Sequence, residues 1–175
     1  MTAHAQVSGV MVVTGAASGI GAASAQRLAL DGWKIVAVDL NEPSYPVLQF
    51  IRADLADPDS IDAAVLQMPA QLHGLCNIAG LPGNRGVERT LRVNFLGLRH
   101  LTERIIPRLQ PGSAIVNLAS VAGNQWSQRW ALHREWASTA GFAAGFEAAV
   151  VFAAAGFAAV RVAVLTAGVF VVAIR

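Results

Sequence analysis

A serine at the end of an apolar run is the first feature of this chain that could do chemistry. Ser120 follows Ala114–Leu118, whose composition predicts a buried strand. Proteins of alternating strands and helices place reactive side chains at such strand ends. A hydroxyl that takes part in proton transfer needs a partner group within reach. The candidates are one tyrosine, Tyr45, one lysine, Lys34, and four scattered histidines, of which His133 is nearest in sequence.

A second chemical feature is the glycine-rich stretch TGAASGIG at Thr14–Gly21. It follows the apolar run Gly9–Val13 and leads into the helical pattern Ala22–Leu30, so it reads as a strand, a glycine turn and a helix. Such a turn lets backbone N–H groups approach a pyrophosphate, and the helix N-terminus adds partial positive charge. An ordinary turn is the alternative, because a lone glycine pattern has low specificity.

Asp39 gives the glycine turn a nucleotide-binding context. It ends the second predicted strand, Lys34–Asp39. A carboxylate at that point accepts both hydroxyls of a ribose and repels a 2′-phosphate. Neither Ala16, Ala17, Ser18 nor the residue directly after Asp39 is basic. The sequence therefore favours NAD over NADP.

The remaining elements alternate in the same way. Further strands are predicted at 47–53, 72–78 and 114–118, and further helices at 57–68 and 89–109, with a turn at Gln110–Gly112. Asp57 and Pro58 are typical of a helix start. Alternating strands and helices predict an α/β fold, a parallel sheet with helices on both faces.

Composition limits the classes of function. A chain of 175 residues, 54% apolar and 14% charged, predicts one ordered domain over 1–175. A net charge of +2 without basic runs argues against nucleic-acid binding. The scattered histidines and single cysteine build no local metal site, and Cys76 is expected to be a buried thiol. The polar start, without a basic, apolar leader, predicts a cytoplasmic protein.

Five ordered segments over residues 9–123 resemble the short-chain dehydrogenase/reductase family. TGAASGIG is similar to its TGxxxGxG loop, Asp54 to its adenine-capping acid, and Asn77–Gly80 to its NxAG segment. Asn94 resembles the asparagine that holds a water in the proton relay, and Ser120 the substrate-orienting serine. The resemblance implies a Rossmann-like, doubly wound sheet, incomplete on its C-terminal side, and a nicotinamide cofactor, NAD(H). The implied cofactor-binding residues are Gly15, Ala17, Ser18, Gly19, Ile20, Gly21, Asp39, Leu40, Asp54, Leu55, Asn77, Ala79 and Gly80.

The family's acid/base pair, a YxxxK motif on the helix after the serine, has no match in this sequence. Tyr45 and Lys34 belong to the region of the second strand, and His133 reads as part of a solvated polar helix. Residues 124–147 are interpreted as a helical insertion, because Gln125–Phe146 resembles a segment of bacterial 3α-hydroxysteroid dehydrogenase/carbonyl reductase relatives. That resemblance implies a small alcohol or carbonyl substrate, with steroids as one class.

The atypical apolar tail, 148–175, replaces the expected motif. Residues 160–168 loosely resemble the family's sixth strand. The nearly uncharged stretch 148–174 is also long enough to span a bilayer, although Arg161 near its centre argues against insertion. An exposed apolar tail would favour a homo-oligomer.

Three hypotheses follow from the sequence. The first is an NAD-dependent oxidoreductase scaffold with little or no activity, because the tyrosine and lysine of YxxxK are absent. The second is a non-catalytic protein that binds NAD or a partner. The third is a membrane-associated chain.

Overall fold

A computed structural model describes residues 9–120, 161–165 and 169–173. The chain divides into two compact units, Met1–Gln110 and Pro111–Arg175. The single domain predicted over 1–175 stays a prediction. The predicted insertion, 124–147, lies outside the described residues, as do His133 and residues 148–160 of the tail.

Residues 9–108 of the first unit form four strands and four α-helices. The strands are β1 (Val10–Thr14), β2 (Lys34–Asp39), β3 (Gln49–Arg52) and β4 (Leu72–Asn77). The α-helices are α1 (Gly19–Leu30), α2 (Pro58–Gln67), α3 (Val87–Leu91) and α4 (Leu98–Ile105). A π-helix, Arg92–Gly97, joins α3 to α4, and short 3₁₀ turns lie at Gly83–Arg85 and Ile106–Arg108.

The sheet of the first unit is parallel, with strand order β3-β2-β1-β4. β1 and β2 are buried along nearly their whole length, which explains their almost continuous apolar sequences. Right-handed crossovers place α1 on one face and α2 on the other, because the chain moves from β1 to β2 in one direction and from β3 to β4 in the opposite one. The fold is therefore the Rossmann-like, doubly wound sheet that the sequence predicts.

This topology creates a crevice at the carboxyl end of β1. The connection from β1 goes to β2 on one side, while β4 lies on the other side. The loops that follow β1 and β4 therefore diverge, and a ligand site is expected between them. The predicted glycine turn is one of these two loops.

Three local features differ from the predicted bounds. β3 is shorter than 47–53, because its ladder with β2 begins at Gln49. The predicted helix 89–109 begins earlier and contains the π-helix. The predicted turn at 110–112 lies inside β5 (Leu109–Leu118), where Gly112 has a φ of 84°.

The second unit contains an antiparallel arrangement. β7 (Val169–Ala173) pairs antiparallel with β5 and with β6 (Arg161–Leu165). The pairs β5–β7 and β6–β7 therefore differ from the parallel sheet of the first unit. For β6 and β7 the reason is their short connection, since a parallel crossover needs about a dozen residues. Among the described residues, no helix combines the length and apolar character needed to cross a membrane.

An ion-pair cluster connects α2 with α4. Asp62 Oδ1 accepts from Arg104 Nε at 2.7 Å, Asp62 Oδ2 accepts from Arg104 Nη2 at 2.6 Å, and His100 Nε2 lies 2.8 Å from Oδ1. Hydrogen bonding by Arg104 and then by His100 outweighs desolvation and lowers the pKa of Asp62 from 3.8 to about 2. The charged carboxylate is therefore favoured in the folded state.

We expect Asp62→Asn to destabilise the protein near neutral pH and to become equivalent to wild type in strong acid. Because the folded pKa is the lower one, the contribution of Asp62 is present above pH 3.8 and is lost as the pH falls through about 2. Urea unfolding at low salt across this range measures the difference. Glu42→Gln, which neutralises an exposed carboxylate after β2, is the control. A pH-independent difference would assign the effect to packing instead.

Candidate cofactor-binding site

The glycine turn after β1 requires glycine at two positions for different reasons. Gly15 has a φ of 70° and donates its N–H to the carbonyl of Val38 at 2.9 Å. A Cβ at Gly15 would lie 2.9 Å from Ala79 Cα, so glycine lets the loop after β4 approach. A Cβ at Gly21 would lie 2.6 Å from the carbonyl carbon of Gly15 and closer still to its oxygen. Gly21 therefore lets α1 pack against the turn.

Gly19 faces open space at the start of α1. Its φ is 54°, and a Cβ placed on it would meet nothing within 4 Å. The first N–H groups of a helix have no partner within the helix, and they favour an anion. Ser18 and Ile20 beside it are exposed. The turn thus presents an open helix N-terminus, which suits a pyrophosphate.

Asp39 is hydrogen-bonded directly to the glycine turn. Its Oδ2 accepts from the N–H of Ala17 at 3.0 Å, and its Oδ1 accepts from the N–H of Asn41 at 3.0 Å. A carboxylate has about four acceptor sites, so the two oxygens keep capacity for further donors. Leu40 beside it is 46% exposed. The carboxylate and the turn are therefore joined by a direct hydrogen bond.

Tyr45 packs behind the same turn. Its hydroxyl donates to the carbonyl oxygen of Ala16. Burial, and secondly the charge of Asp39, raise the pKa of Tyr45 above its ordinary value of 10.0. The tyrosine therefore supports the glycine turn from behind. Lys34 begins β2, at the opposite end of the strand from Asp39.

Asp54 follows β3 and is held by its surroundings. Its Oδ1 accepts from the N–H of Ala56 at 2.9 Å, and its own N–H donates to Ser60 Oγ at 3.0 Å. Arg89 Nη2 donates to Asp54 Oδ2 at 3.2 Å. Leu55 is buried, and a Cβ at Gly97 would lie 2.8 Å from its carbonyl carbon. Sequence reasoning missed Arg89 and Gly97, because neither has a local signal.

A buried threonine joins the ends of β1 and β4. Thr14 Oγ1 accepts from the N–H groups of Ile78 and Ala79, each at 3.0 Å. The hydroxyl also lies 3.5 Å from the carbonyl oxygen of Cys76, to which it can donate. Thr14 is 1% exposed. It therefore fixes the loop after β4 beside the glycine turn, a role that sequence reasoning did not assign.

The two asparagines matched to the family have structural partners. Asn77, buried at the end of β4, donates from Nδ2 to Thr102 Oγ1 at 3.0 Å. Asn94, in the π-helix, accepts at Oδ1 from the N–H of Leu81 at 2.7 Å and donates from Nδ2 to the Leu81 carbonyl at 2.8 Å. Asn94 thus holds the loop after β4, and its role toward a water stays a prediction.

The first unit contains a cleft of about 230 Å³. It lies at the crevice where the loops after β1 and β4 diverge. Eight of the predicted cofactor residues line it: Gly15, Ser18, Asp39, Leu40, Asp54, Leu55, Ala79 and Gly80. Five further residues line it that were not predicted: Val38, Ala53, Leu81, Arg89 and Val93. Ala17, Gly19, Ile20, Gly21 and Asn77 do not line this cleft, although the first four belong to the turn and the start of α1.

Ser120 and Cys76 are the remaining residues that the sequence singles out, and neither lines the cleft. Ser120 is exposed in the second unit, two residues after β5. Cys76 is buried, and burial raises the pKa of its thiol to about 11, so it is a poor nucleophile. Within the described part of the chain, no group of three or more His, Cys, Asp or Glu side chains could hold a metal ion.

Comparison with known proteins identifies the class. A family model described as short chain dehydrogenase matches residues 9–174. The chain therefore belongs to the short-chain dehydrogenase family, which uses nicotinamide cofactors.

Individual relatives agree with this assignment. The chain is 47% identical over 135 residues to a coniferyl-alcohol dehydrogenase from Pseudomonas sp., covering 77% of this chain and 53% of the relative. Ligand-free aldohexose dehydrogenase from Thermoplasma acidophilum is 26% identical with a TM-score of 0.59, covering 65% and 50% of the two chains. A metagenomic blue fluorescent protein in complex with NADPH is 27% identical with a TM-score of 0.59, covering 67% and 58%. The chain thus spans about half the length of these relatives.

Proposed function

We propose that this chain binds NAD(H) in the cleft of the first unit and has little or no oxidoreductase turnover of its own. The observation that carries the proposal is that the glycine turn and Asp39 line one cleft and are hydrogen-bonded to each other through Ala17. In this proposal, the hydrogen bond from Ala17 to Asp39 sets the distance between the group that would bind the pyrophosphate and the group that would bind the ribose. Gly15 and Gly21 let the turn, α1 and the loop after β4 pack closely, and Gly19 leaves open space at the start of α1, which supports a fit to the pyrophosphate.

The residues of the chain divide the binding task. The turn and the start of α1 would hold the pyrophosphate, Asp39 the adenosine ribose, and Asp54 the adenine. A bound nicotinamide supplies hydride transfer between an alcohol and a carbonyl. The choice of NAD over NADP is supported by Asp39, because its negative charge in the cleft opposes a 2′-phosphate.

The proposal of low turnover is supported by the few side chains that could donate or accept the proton of an alcohol or carbonyl substrate. The chain contains one tyrosine and one lysine. The hydroxyl of Tyr45 is engaged with Ala16 and has a raised pKa, while Lys34 lies at the amino end of β2. Lys34 is therefore at the wrong end of the sheet for proton exchange, and the hydroxyl proton of Tyr45 is directed at the carbonyl of Ala16 behind the glycine turn. Ser120 and Asn94 keep the orienting roles that the family resemblance implies, as proposals.

Substrates of the alcohol and carbonyl class are proposed by relationship alone. The coniferyl-alcohol dehydrogenase at 47% identity suggests an aryl allylic alcohol as the first compound to test. The hydroxysteroid class suggested by the sequence of 125–146 is the second.

The first experiment is calorimetric titration of the chain with NADH and NADPH, with a turnover assay on the same sample. We expect wild type to bind NADH at least about tenfold more tightly than NADPH, since a charge-assisted hydrogen bond contributes about 1.5–3 kcal/mol. Asp39→Asn should weaken NADH binding and narrow this preference. Glu42→Gln, which changes an exposed carboxylate three residues away, should not.

Different results would contradict different parts of the proposal. Failure of wild type to bind either dinucleotide would contradict cofactor binding, and an equal or reversed preference would contradict the choice of NAD. Oxidation of coniferyl alcohol, a hydroxysteroid or simple alcohols at about 1 s⁻¹ or faster would contradict the proposal of low turnover.

A further inference from the structure

Arg89 is the unexpected residue of the cleft. It lies on α3, and among the residues that line the cleft in the described part of the chain it is the only basic one. Its Nη2 donates to Asp54 Oδ2 at 3.2 Å, and the two side chains are 54% and 34% exposed. An ion pair this exposed contributes little to stability. Because Arg89 lines the cleft, we look for its function in ligand binding rather than in stability.

Asp54, the partner of Arg89, is itself held by hydrogen bonds. Asp54 is held by the N–H of Ala56 and by the bond from its own N–H to Ser60. The bond to Asp54 engages one of the five N–H donors of the guanidinium. Such a bond restricts the position of the planar group without covering its faces. The planar cation is thus held at a defined place in the cleft.

Apolar side chains line the same cleft. Leu40, Leu55 and Val93 contribute to its wall, together with Arg89 and its partner Asp54. A planar cation beside aliphatic side chains suits a flat aromatic heterocycle, because a guanidinium stacks on aromatic faces. A carboxylate beside it can accept from an exocyclic amine. This combination matches a purine that carries an amino group.

We propose that Arg89 is a base-binding residue that stacks its guanidinium on the adenine of the bound dinucleotide while Asp54 anchors it. The proposal rests on the proposed function and deepens it, since it names the group that recognises the face of the base. A second explanation is electrostatic. Arg89 offsets the negative charges of Asp39 and Asp54, which would otherwise oppose a pyrophosphate, and this role requires only the charge.

Two substitutions separate stacking from charge. Arg89→Lys keeps the charge and removes the planar group, whereas Arg89→Met removes both and keeps an unbranched chain. Stacking of the planar group predicts that both variants lose affinity, at low and at high salt. Charge compensation predicts that only Arg89→Met loses affinity, with a loss that depends on salt. Arg85→Met is the matched control, because Arg85 is exposed in the preceding 3₁₀ turn and does not line the cleft.

The experiment is calorimetric titration of wild type and the three variants with NADH and with adenosine monophosphate. Stacking predicts a loss of about three- to fivefold for both ligands in Arg89→Met, the range of an exposed cation–π contact, a loss in Arg89→Lys that the retained charge does not prevent, and no change in Arg85→Met. Thermal unfolding of each variant confirms an unchanged fold. Wild-type affinity in Arg89→Lys, or unchanged or tighter binding in Arg89→Met, overturns the proposal and leaves NAD binding intact. If wild type does not bind NADH, the proposed function is overturned, and this inference with it.

Discussion

Gly21→Ala is expected to lose both stability and cofactor binding. The new Cβ would lie 2.6 Å from the carbonyl carbon of Gly15 and would overlap its oxygen, so α1 or the glycine turn must move. Overpacking of this kind costs about 1–3 kcal/mol or more. The turn also carries the N–H of Ala17, which holds Asp39. Displacement of the turn should therefore weaken NADH binding by at least about tenfold, the equivalent of about 1.4 kcal/mol.

Urea unfolding and NADH titration of the same preparation test this expectation. Gly83→Ala is the matched control, because a Cβ there would meet nothing within 4 Å. Its free energy of unfolding should stay within about 0.5 kcal/mol of wild type. If Gly21→Ala kept both wild-type stability and wild-type affinity, the close packing of α1 on the turn would be wrong.

The parts of the site that the sequence predicts are those with local signals. The glycine turn, β2 and Asp39 lie within one βαβ segment, where apolar runs and glycines define both the elements and their ends. Asp57 likewise caps α2 as predicted, accepting from the N–H of Asp59 at 3.1 Å. Local patterns therefore identify the glycine turn and Asp39, whereas the family resemblance adds Asp54, Leu55, Ala79 and Gly80 to the residues that line the cleft.

The contacts that the sequence did not predict join distant segments. Arg89 meets Asp54 and Gly97 meets Leu55 across more than thirty residues, and neither pair has a fixed spacing that a local pattern could reveal. The bonds of Asn94 to Leu81 likewise depend on how the π-helix turns its residues toward the loop after β4. Tertiary packing decides such contacts. Single-sequence patterns can name the residue types involved but not their partners.

Thr14→Val is the substitution that best tests how the loop after β4 is held. Valine keeps the shape of threonine but removes the acceptor of two N–H groups, those of Ile78 and Ala79. Leaving a buried polar group without its partner costs about 1–3 kcal/mol. We therefore expect a loss of that size in the free energy of unfolding. Because Ala79 and Gly80 line the cleft, weaker NADH binding should accompany it.

Thr14→Ser distinguishes the hydroxyl from the packing around it. Serine keeps the acceptor and removes one methyl group, so its cost should be about 0.8 kcal/mol, and its NADH affinity should match wild type. Amide hydrogen exchange gives the site-specific measurement: the amides of Ile78 and Ala79 should exchange faster in Thr14→Val than in Thr14→Ser. Equal protection of these amides in the two variants would show that the hydroxyl does not hold the loop. The cleft would then depend on the contact of Gly15 with Ala79 for its shape.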